Sequence, residues 1–498
     1  MTPIRKKRGV AGAILLFASV PAFGAAPEAA SSGPVLTVDQ AIRSTLENNQ
    51  DIKVEAYAPA IARANVLAAL GQFDPALNFG RNYSRSYGYP SIPEPLAPTL
   101  VKSDTYSLGL TGAIPTGLTY TIGGTAANER GPYNNFAGDY MTFGGVNLTQ
   151  PLLRGFGFAA NLVNVRVARA NRSISEWQYR QTLIETVANV IVTYNELVLA
   201  HNNLRIARRY RELGATLLTE NLQRLKAGSG SQNDVVTARA QVAQREEGIL
   251  LGENAVRSTD NQLRELIGEK SFPSDRPLLV VEEPAVPQVT VDPPRDYQEA
   301  LNRRPDYQAA RLGITINRAN SAAARNGLLP QVNLIGSYGY NGLASTFAAS
   351  RQMIANRDVP SSAVGVNLSI PITNARARGQ ARAARLALEQ SEASLKNLEA
   401  QIAVSVANAA SQIETARKRV VADQAAYDLA NQALAAEEKK LSLGTSSSQY
   451  VIQEQTYLSQ VENSLANARF SERQAAAVYD EQLGMTLVRN HIAVAEDK

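Results

Sequence analysis

Between residues 375 and 443 apolar side chains return every seventh position. Val406, Ile413, Val420, Tyr427, Leu434 and Leu441 form one seam, and Ile402, Ala409, Ala416 and Ala430 supply most of a second. Sustained sevens with charged and amide residues between them predict one very long helix packed on neighbours along its length. The stretch from 159 to 227 has the same character: Leu183, Val190, Leu197 and Leu204 step by seven, with Ile184, Ile191 and Val198 one position behind. That apolar stripe is wide enough to touch neighbours on two sides. No proline occurs between Pro151 and Pro273 or after Pro371, so nothing breaks either helix, and each reaches on the order of 100 Å. A single compact core is excluded. Arg, Lys, Glu and Gln interrupt both stretches every few residues, whereas a membrane-spanning helix needs about 20 mostly apolar ones.

Elsewhere the period is two. Leu77, Phe79, Tyr83 and Tyr87 alternate with Asn78, Gly80, Asn82 and Ser86, and Tyr106, Leu108, Leu110 and Ile114 alternate with small polar residues. The tight turn Pro115-Thr116-Gly117 leads into Leu118, Tyr120 and Ile122, and a last strand ends Val146, Leu148, Pro151. Later in the chain only two strands are expected, one through Val332, Leu334, Tyr338 and Tyr340, the other through Val364, Val366, Leu368 and Ile370. An apolar, tyrosine-rich face backed by Gly, Ser, Thr and Asn fits the wall of a transmembrane barrel, and a soluble sandwich shares that alternation. Four to six strands cannot close a membrane barrel when the smallest have about 8. Lipid tolerates no open edge, so several chains must share one barrel.

The chain also matches itself. Phe73-Asp-Pro75-Ala-Leu-Asn-Phe79 aligns with Leu328-Leu-Pro330-Gln-Val-Asn-Leu334, Gly145 to Pro151 with Gly365 to Pro371, and Leu225-Lys-Ala-Gly228-Ser with Leu441-Ser-Leu-Gly444-Thr. Three matches in one order imply a tandem duplication. The expected organisation is a first repeat at 25–270, with a β region at 76–151 and a long hairpin at 155–268. A Pro-rich connection at 271–297 leads to a second repeat at 298–486, with a β region at 331–371 and a hairpin at 375–486, and 487–498 is a tail. Pro75, Pro151, Pro330 and Pro371 mark the junctions of strand and helix. The hairpin tips fall at Gly228-Ser229 and Gly444-Thr445, where glycine permits positive φ. The first repeat is longer by a hairpin, Thr105 to Ala126, which either joins the barrel wall or folds elsewhere.

Composition changes the picture in two respects. Arg5, Lys6, Lys7 and Arg8 precede an apolar run from Gly9 to Val20 and a small-x-small site at Ala22-Phe23-Gly24, the pattern of a secretory signal spanning 1–24. Removing those four basic residues lowers the formal net charge from +5 to +1, so basicity is no argument for nucleic acid. The absence of cysteine excludes disulfides, thiolate metal sites and a cysteine nucleophile. His201 and His491, the two histidines, have no partner at metal-ligand spacing, and Gly155-Phe-Gly157 is half a dinucleotide fingerprint at best. No constellation supports catalysis, a cofactor or a metal.

The duplicated order of helix, β region and long hairpin, the Asn-Leu-x-x-Pro strand ends at Asn147 and Asn367, and the turns at Gly228 and Gly444 closely resemble the TolC-type outer-membrane efflux family. The resemblance covers nearly the whole mature chain. It implies an α+β membrane protein: a homotrimer in outer-membrane lipid, each chain giving four strands to one β-barrel and two helical hairpins to a periplasmic α-barrel. It further implies an exit duct of a tripartite efflux or type I secretion system, served by a periplasmic adaptor protein and an inner-membrane pump of the resistance or ABC type. In that family two aspartates narrow the periplasmic entrance. The matching positions here are Tyr450 and Gln453, with Asp234 the acid kept at the first turn. The tyrosine and arginine that bond across the closed entrance correspond to Leu441 and Ser446. A rival reading, a structural or adhesive coiled-coil envelope protein, explains the helices and not the duplicated aromatic strands.

Overall fold

The structure, a computed structural model, describes residues 35–88, 99–269, 277–281 and 290–493. The expected signal segment and most of the Pro-rich connection lie outside these residues. The first half runs β1 (Val35–Leu36), α1 (Val38–Asn48), α2 (Gln50–Glu55), α3 (Tyr57–Leu70), β2 (Ala76–Gly88), β3 (Thr99–Ala113), β4 (Thr119–Arg130), β5 (Asp139–Pro151), α4 (Phe158–Asn161), α5 (Val163–Lys226) and α6 (Gln232–Ile267). After β6 (Leu279–Val280) come α7 (Pro293–Arg303), α8 (Pro305–Asn326), β7 (Gln331–Ala344), α9 (Phe347–Asn356), β8 (Val359–Ser369), α10 (Ala375–Ser442), α11 (Ser448–Gln482) and α12 (Thr486–Arg489).

The two long helices have 64 and 68 residues, about 96 and 102 Å of rise. Their seams are the core. In α5, Val190 and Leu197 are fully buried, with Leu183, Ile184 and Leu204 nearly so. In α10, Ile402, Val406, Ala409, Ile413, Leu434 and Leu441 are buried, while Val420 and Tyr427 are half-buried. Each long helix packs against its return helix, α5 on α6 and α10 on α11. Ile206, Tyr210 and Leu217 of α5 then join Leu434, Val451 and Leu458 of the other hairpin in one cluster. α5 is long and apolar enough to cross a membrane by composition, but most of its apolar window is buried against these neighbours, the state of a core helix.

At mid-height the chain ties itself together. β1 pairs in parallel with β6, Val35 opposite Leu279 and Leu36 opposite Val280. Tyr194 of α5, fully buried, donates its hydroxyl to Leu36 O at 2.8 Å and receives Val281 N at 3.0 Å. His201 Nε2 lies 3.3 Å from Leu278 O, a structural contact. The helical stretch between Gln50 and Leu70 is interrupted at Ala56, where α2 gives way to α3.

All strands longer than two residues form one antiparallel meander, β2-β3-β4-β5-β7-β8. The additional hairpin therefore joins the sheet: β3 and β4 lie between β2 and β5, and the chain presents six strands where the resemblance implies four. β3 is also longer than the alternation indicated, because it starts at Thr99 instead of Thr105. Register puts Leu77, Leu110, Ile122, Val146 and Tyr338 side by side on one face. The opposite face carries Asn78, Gly109, Gly123, Gly145 and Gly339 at the neighbouring level. Backbones approach closely along this glycine row: a Cβ on Gly123 would stand 2.2 Å from Leu108 O, so only glycine fits there. Pro75, Pro151, Pro330 and Pro371 all sit at strand ends next to the helical side. Gly155 and Gly157, at φ 83° and 85°, turn β5 into α4. Asn161 Nδ2 donates to both of their carbonyls, at 2.8 and 2.9 Å, so this pair builds a corner and no nucleotide loop.

Candidate functional site at the hairpin tips

Both long helices end in the same turn. Gly228 and Gly444 adopt φ of 71° and 76°. Ser229 N donates to Arg224 O and Thr445 N to Lys440 O, each at 3.0 Å, and the hydroxyls of Ser229 and Thr445 reach the same two carbonyls. These bonds satisfy carbonyls that a helix C-terminus leaves open. Nothing lies within 4 Å of a Cβ built on either glycine. The tips are held by their own backbone and leave their outer surface free.

Past the first tip, Ser231 caps α6. Its hydroxyl accepts from Asn233 N at 3.1 Å, while its own N–H donates to Asp234 Oδ2 at 3.3 Å. The carboxylate of Asp234 is thus engaged in a capping box. At the corresponding place in α11, Ser447 is the N-cap and Tyr450 holds the position of Asp234. Tyr450 is 59% exposed and Gln453 is exposed, so neither is buried between the hairpins of one chain. Leu441 is buried in the cluster shared by the hairpins. Ser446 donates to Glu437 of its own hairpin, and this bond holds the Glu437 carboxyl below its ordinary range.

The hairpins are nevertheless bonded to each other through residues that the sequence did not single out. Nearest the tip, Ser448 of α11 donates to Asn221 Oδ1 of α5 at 2.6 Å, and both residues are buried. Farther along, Arg245 of α6 gives one nitrogen to Tyr210 O at 2.6 Å and to Gln455 Oε1 of α11 at 3.2 Å. The Tyr210 hydroxyl donates to Glu462 Oε2 at 3.0 Å, and Arg209 stands 3.5 Å from the other carboxylate oxygen. Burial, with the Glu462 charge second, pushes the Tyr210 phenol far up, so it remains a donor at any physiological pH. These three levels clamp α5 and α6 to α11. Beside them Arg205, Arg469, Arg473 and Glu462 line a cavity of about 320 Å³ between the hairpins. The only sequence signal was the occurrence of large polar residues at core positions of the heptads, as at Gln455 and Glu462.

Helical walls about 100 Å long, joined by polar contacts toward one end and continued at the other by a sheet whose apolar face is largely exposed, belong to a membrane-anchored duct. The chain is a member of the outer membrane efflux protein family, whose model matches residues 41–269 and 297–481. It is an outer-membrane exit duct for efflux systems. Outer membrane protein TolC of Vibrio cholerae serotype O1 is 24% identical over 350 residues, covering 68% of this chain and 77% of that protein. Outer membrane efflux protein BepC of Brucella suis is 25% identical over 324 residues, covering 61% and 64%. Among solved structures, the outer-membrane channel OprN superposes with a TM-score of 0.70 at 18% identity, over 90% of this chain and 89% of that one. These relatives are channel proteins.

Proposed function

We propose that three copies of this chain form the duct, each giving its six strands to one transmembrane barrel and its two hairpins to a periplasmic tunnel. The observation that carries this reading is the sheet: among the described residues its edge strands β2 and β8 have no outer neighbour, and Leu77, Phe79, Val364 and Val366 are each at least 65% exposed. β2 and β8 run in opposite directions, so the edge of one copy pairs antiparallel with that of the next, as closure in lipid requires. Three copies supply eighteen strands, an even number well above the minimum of about 8.

In this arrangement the exposed tips at Gly228-Ser229 and Gly444-Thr445 dock a periplasmic adaptor, which brings cargo from an inner-membrane pump. Tyr450 and Gln453 narrow the entrance in place of a carboxylate ring, and the clamps at Asn221, Tyr210 and Arg245 hold it shut. Asp234, held in its cap on the other hairpin, contributes at most one carboxylate per chain. The repeat boundaries follow the two hairpins, and the signal at 1–24 directs export. The test is extraction and electrophoresis. The mature protein leaves the membrane only with detergent and runs as a trimer that heating dissociates, and substitution of Gly228 and Gly444 by Lys abolishes efflux while the trimer persists. A stable monomer without detergent contradicts the barrel, and export surviving Lys at both tips contradicts docking there.

A further inference from the structure

The apolar face of the sheet ends in a row of cations. Arg85 lies directly opposite Lys102, and Lys102 directly opposite Arg130. Alternation puts all three on the face that carries Leu77, Leu110 and Ile122. Like charges in direct cross-strand register destabilise a sheet, yet among the described residues none of the three forms an ion pair of its own: Arg130 feels the carboxylate of Asp104, which is already bound to Arg81. Arg85 donates to the Tyr87 hydroxyl at 3.0 Å. The other charges on this face of the described strands, Arg81 and Asp104, are paired with each other at 3.0 and 2.9 Å. On the opposite face at this end Glu129 stands across from Asp139, so positive charge is segregated to the apolar side and negative charge to the other.

The height of the row identifies what it meets. From Val332, opposite Leu368 at the helical end, to Ala344, level with Tyr140, Asn128, Asp104 and Tyr83, the face is mainly apolar and aromatic. These twelve residue steps span about 40 Å of strand at ~3.3 Å each, or about 28 Å of height at a tilt of ~45°, close to the ~30 Å hydrocarbon core of a bilayer. The cation row is the next level outward, at the headgroups, on the side away from the helices. Below it α9 folds over the same face: Thr142 and Ser350 share a 2.6 Å hydroxyl contact, and Phe347 packs on Tyr140. Between α9 and β2 to β5 lies a mainly apolar cavity of about 510 Å³ lined by Leu77, Phe79, Leu108, Phe347 and Ile354, with Arg351 of α9 its one charged wall residue.

We propose that Arg85, Lys102 and Arg130 bind the phosphates of an anionic lipid of the outer leaflet, with an acyl chain of that lipid in the groove under α9. The proposal rests on the barrel reading above. The anion relieves the repulsion within the row, and the groove supplies the apolar contact that a free anion cannot use.

The test uses full-length trimer in detergent, titrated with fluorescent bisphosphorylated lipid A. Each Gln replacement, R85Q, K102Q or R130Q, weakens binding roughly fivefold, and the triple variant about a hundredfold. Dephosphorylated lipid A binds wild type as poorly as phosphorylated lipid binds the triple variant, and millimolar inorganic phosphate does not compete. Equal binding of both lipids by wild type, or displacement by phosphate alone, overturns the proposal. The heat-sensitive trimer band is read on the same samples: its presence without lipid selectivity sinks the lipid site alone, and its absence from wild type sinks the barrel and the lipid site together.

Discussion

Replacing Tyr210 by Phe removes one hydroxyl from the middle clamp and leaves the ring packing in place. Tyr210 is 2% exposed and Glu462 9%, so no water substitutes freely for the lost donor. A hydrogen bond to a charged group contributes about 1.5 to 3 kcal/mol, roughly 2 here given that Arg209 still faces the other oxygen. With this bond made only while the hairpins are locked, losing ~2 kcal/mol raises the ratio of unlocked to locked entrance about 30-fold per chain. Single-channel recording in planar bilayers reads that ratio as open fraction and conductance. Glu462→Leu breaks the same contact from the other side. A double-mutant cycle should therefore return a coupling of about 2 kcal/mol, the double variant opening no more than the stronger single one. Two singles that add fully, or intact trimers with wild-type open fraction, would refute the assignment of this contact as a clamp.

Three further outcomes are expected. Tyr450→Ala raises conductance, and Tyr450→Asp combined with Gln453→Asp introduces block by multivalent cations; an unaltered channel already blocked by micromolar trivalent cation from the periplasmic side contradicts this. Asp480, 2.8 Å from Arg489, is pushed by burial from 3.8 up to about 6, with Arg489 opposing. Because its folded value is raised, the ionised form is penalised: the cost is full above pH 6 and fades as pH falls toward 3.8. That gap corresponds to roughly 3 kcal/mol at most, so Asp480→Asn raises thermal stability more at pH 8 than at pH 5, and equal gains at both would show another cause. Gly123→Val blocks trimer assembly, since its Cβ would meet Leu108 O at 2.2 Å, and a normal yield of trimer would show that the strands separate there at little cost.

Periodic features were the legible ones. The sevens at Leu183 to Leu204 and Val406 to Leu441 exist because each helix packs one face against its neighbours, and most residues of those seams are buried. Gly228 and Gly444 were readable because a helix C-terminus at positive φ favours glycine. Single polar contacts left no period. Asn221, Arg245 and Ser448 look in sequence like any solvated helix residue, and only the packing of α5 on α11 brings them together. The membership of β3 and β4 in the sheet depends on which strands pair and in what register, with partners up to 35 residues apart, which alternation cannot specify. α9 went unforeseen because ten residues between two strands read as a loop; its one local signal is Thr346, whose hydroxyl caps Ala349 N at 3.3 Å.

The shared barrel is tested most directly at its seams, and a chain without cysteine gives a clean background. Asn78→Cys on β2 would be combined in turn with cysteine at Ser361, Ala363, Gly365 or Asn367 on β8, and each variant oxidised in native outer membranes. One pair or two adjacent pairs should yield a covalent ladder that stops at three chains. Cross-links confined within single chains, a ladder that continues past three, or none at any position would contradict a barrel closed by three copies.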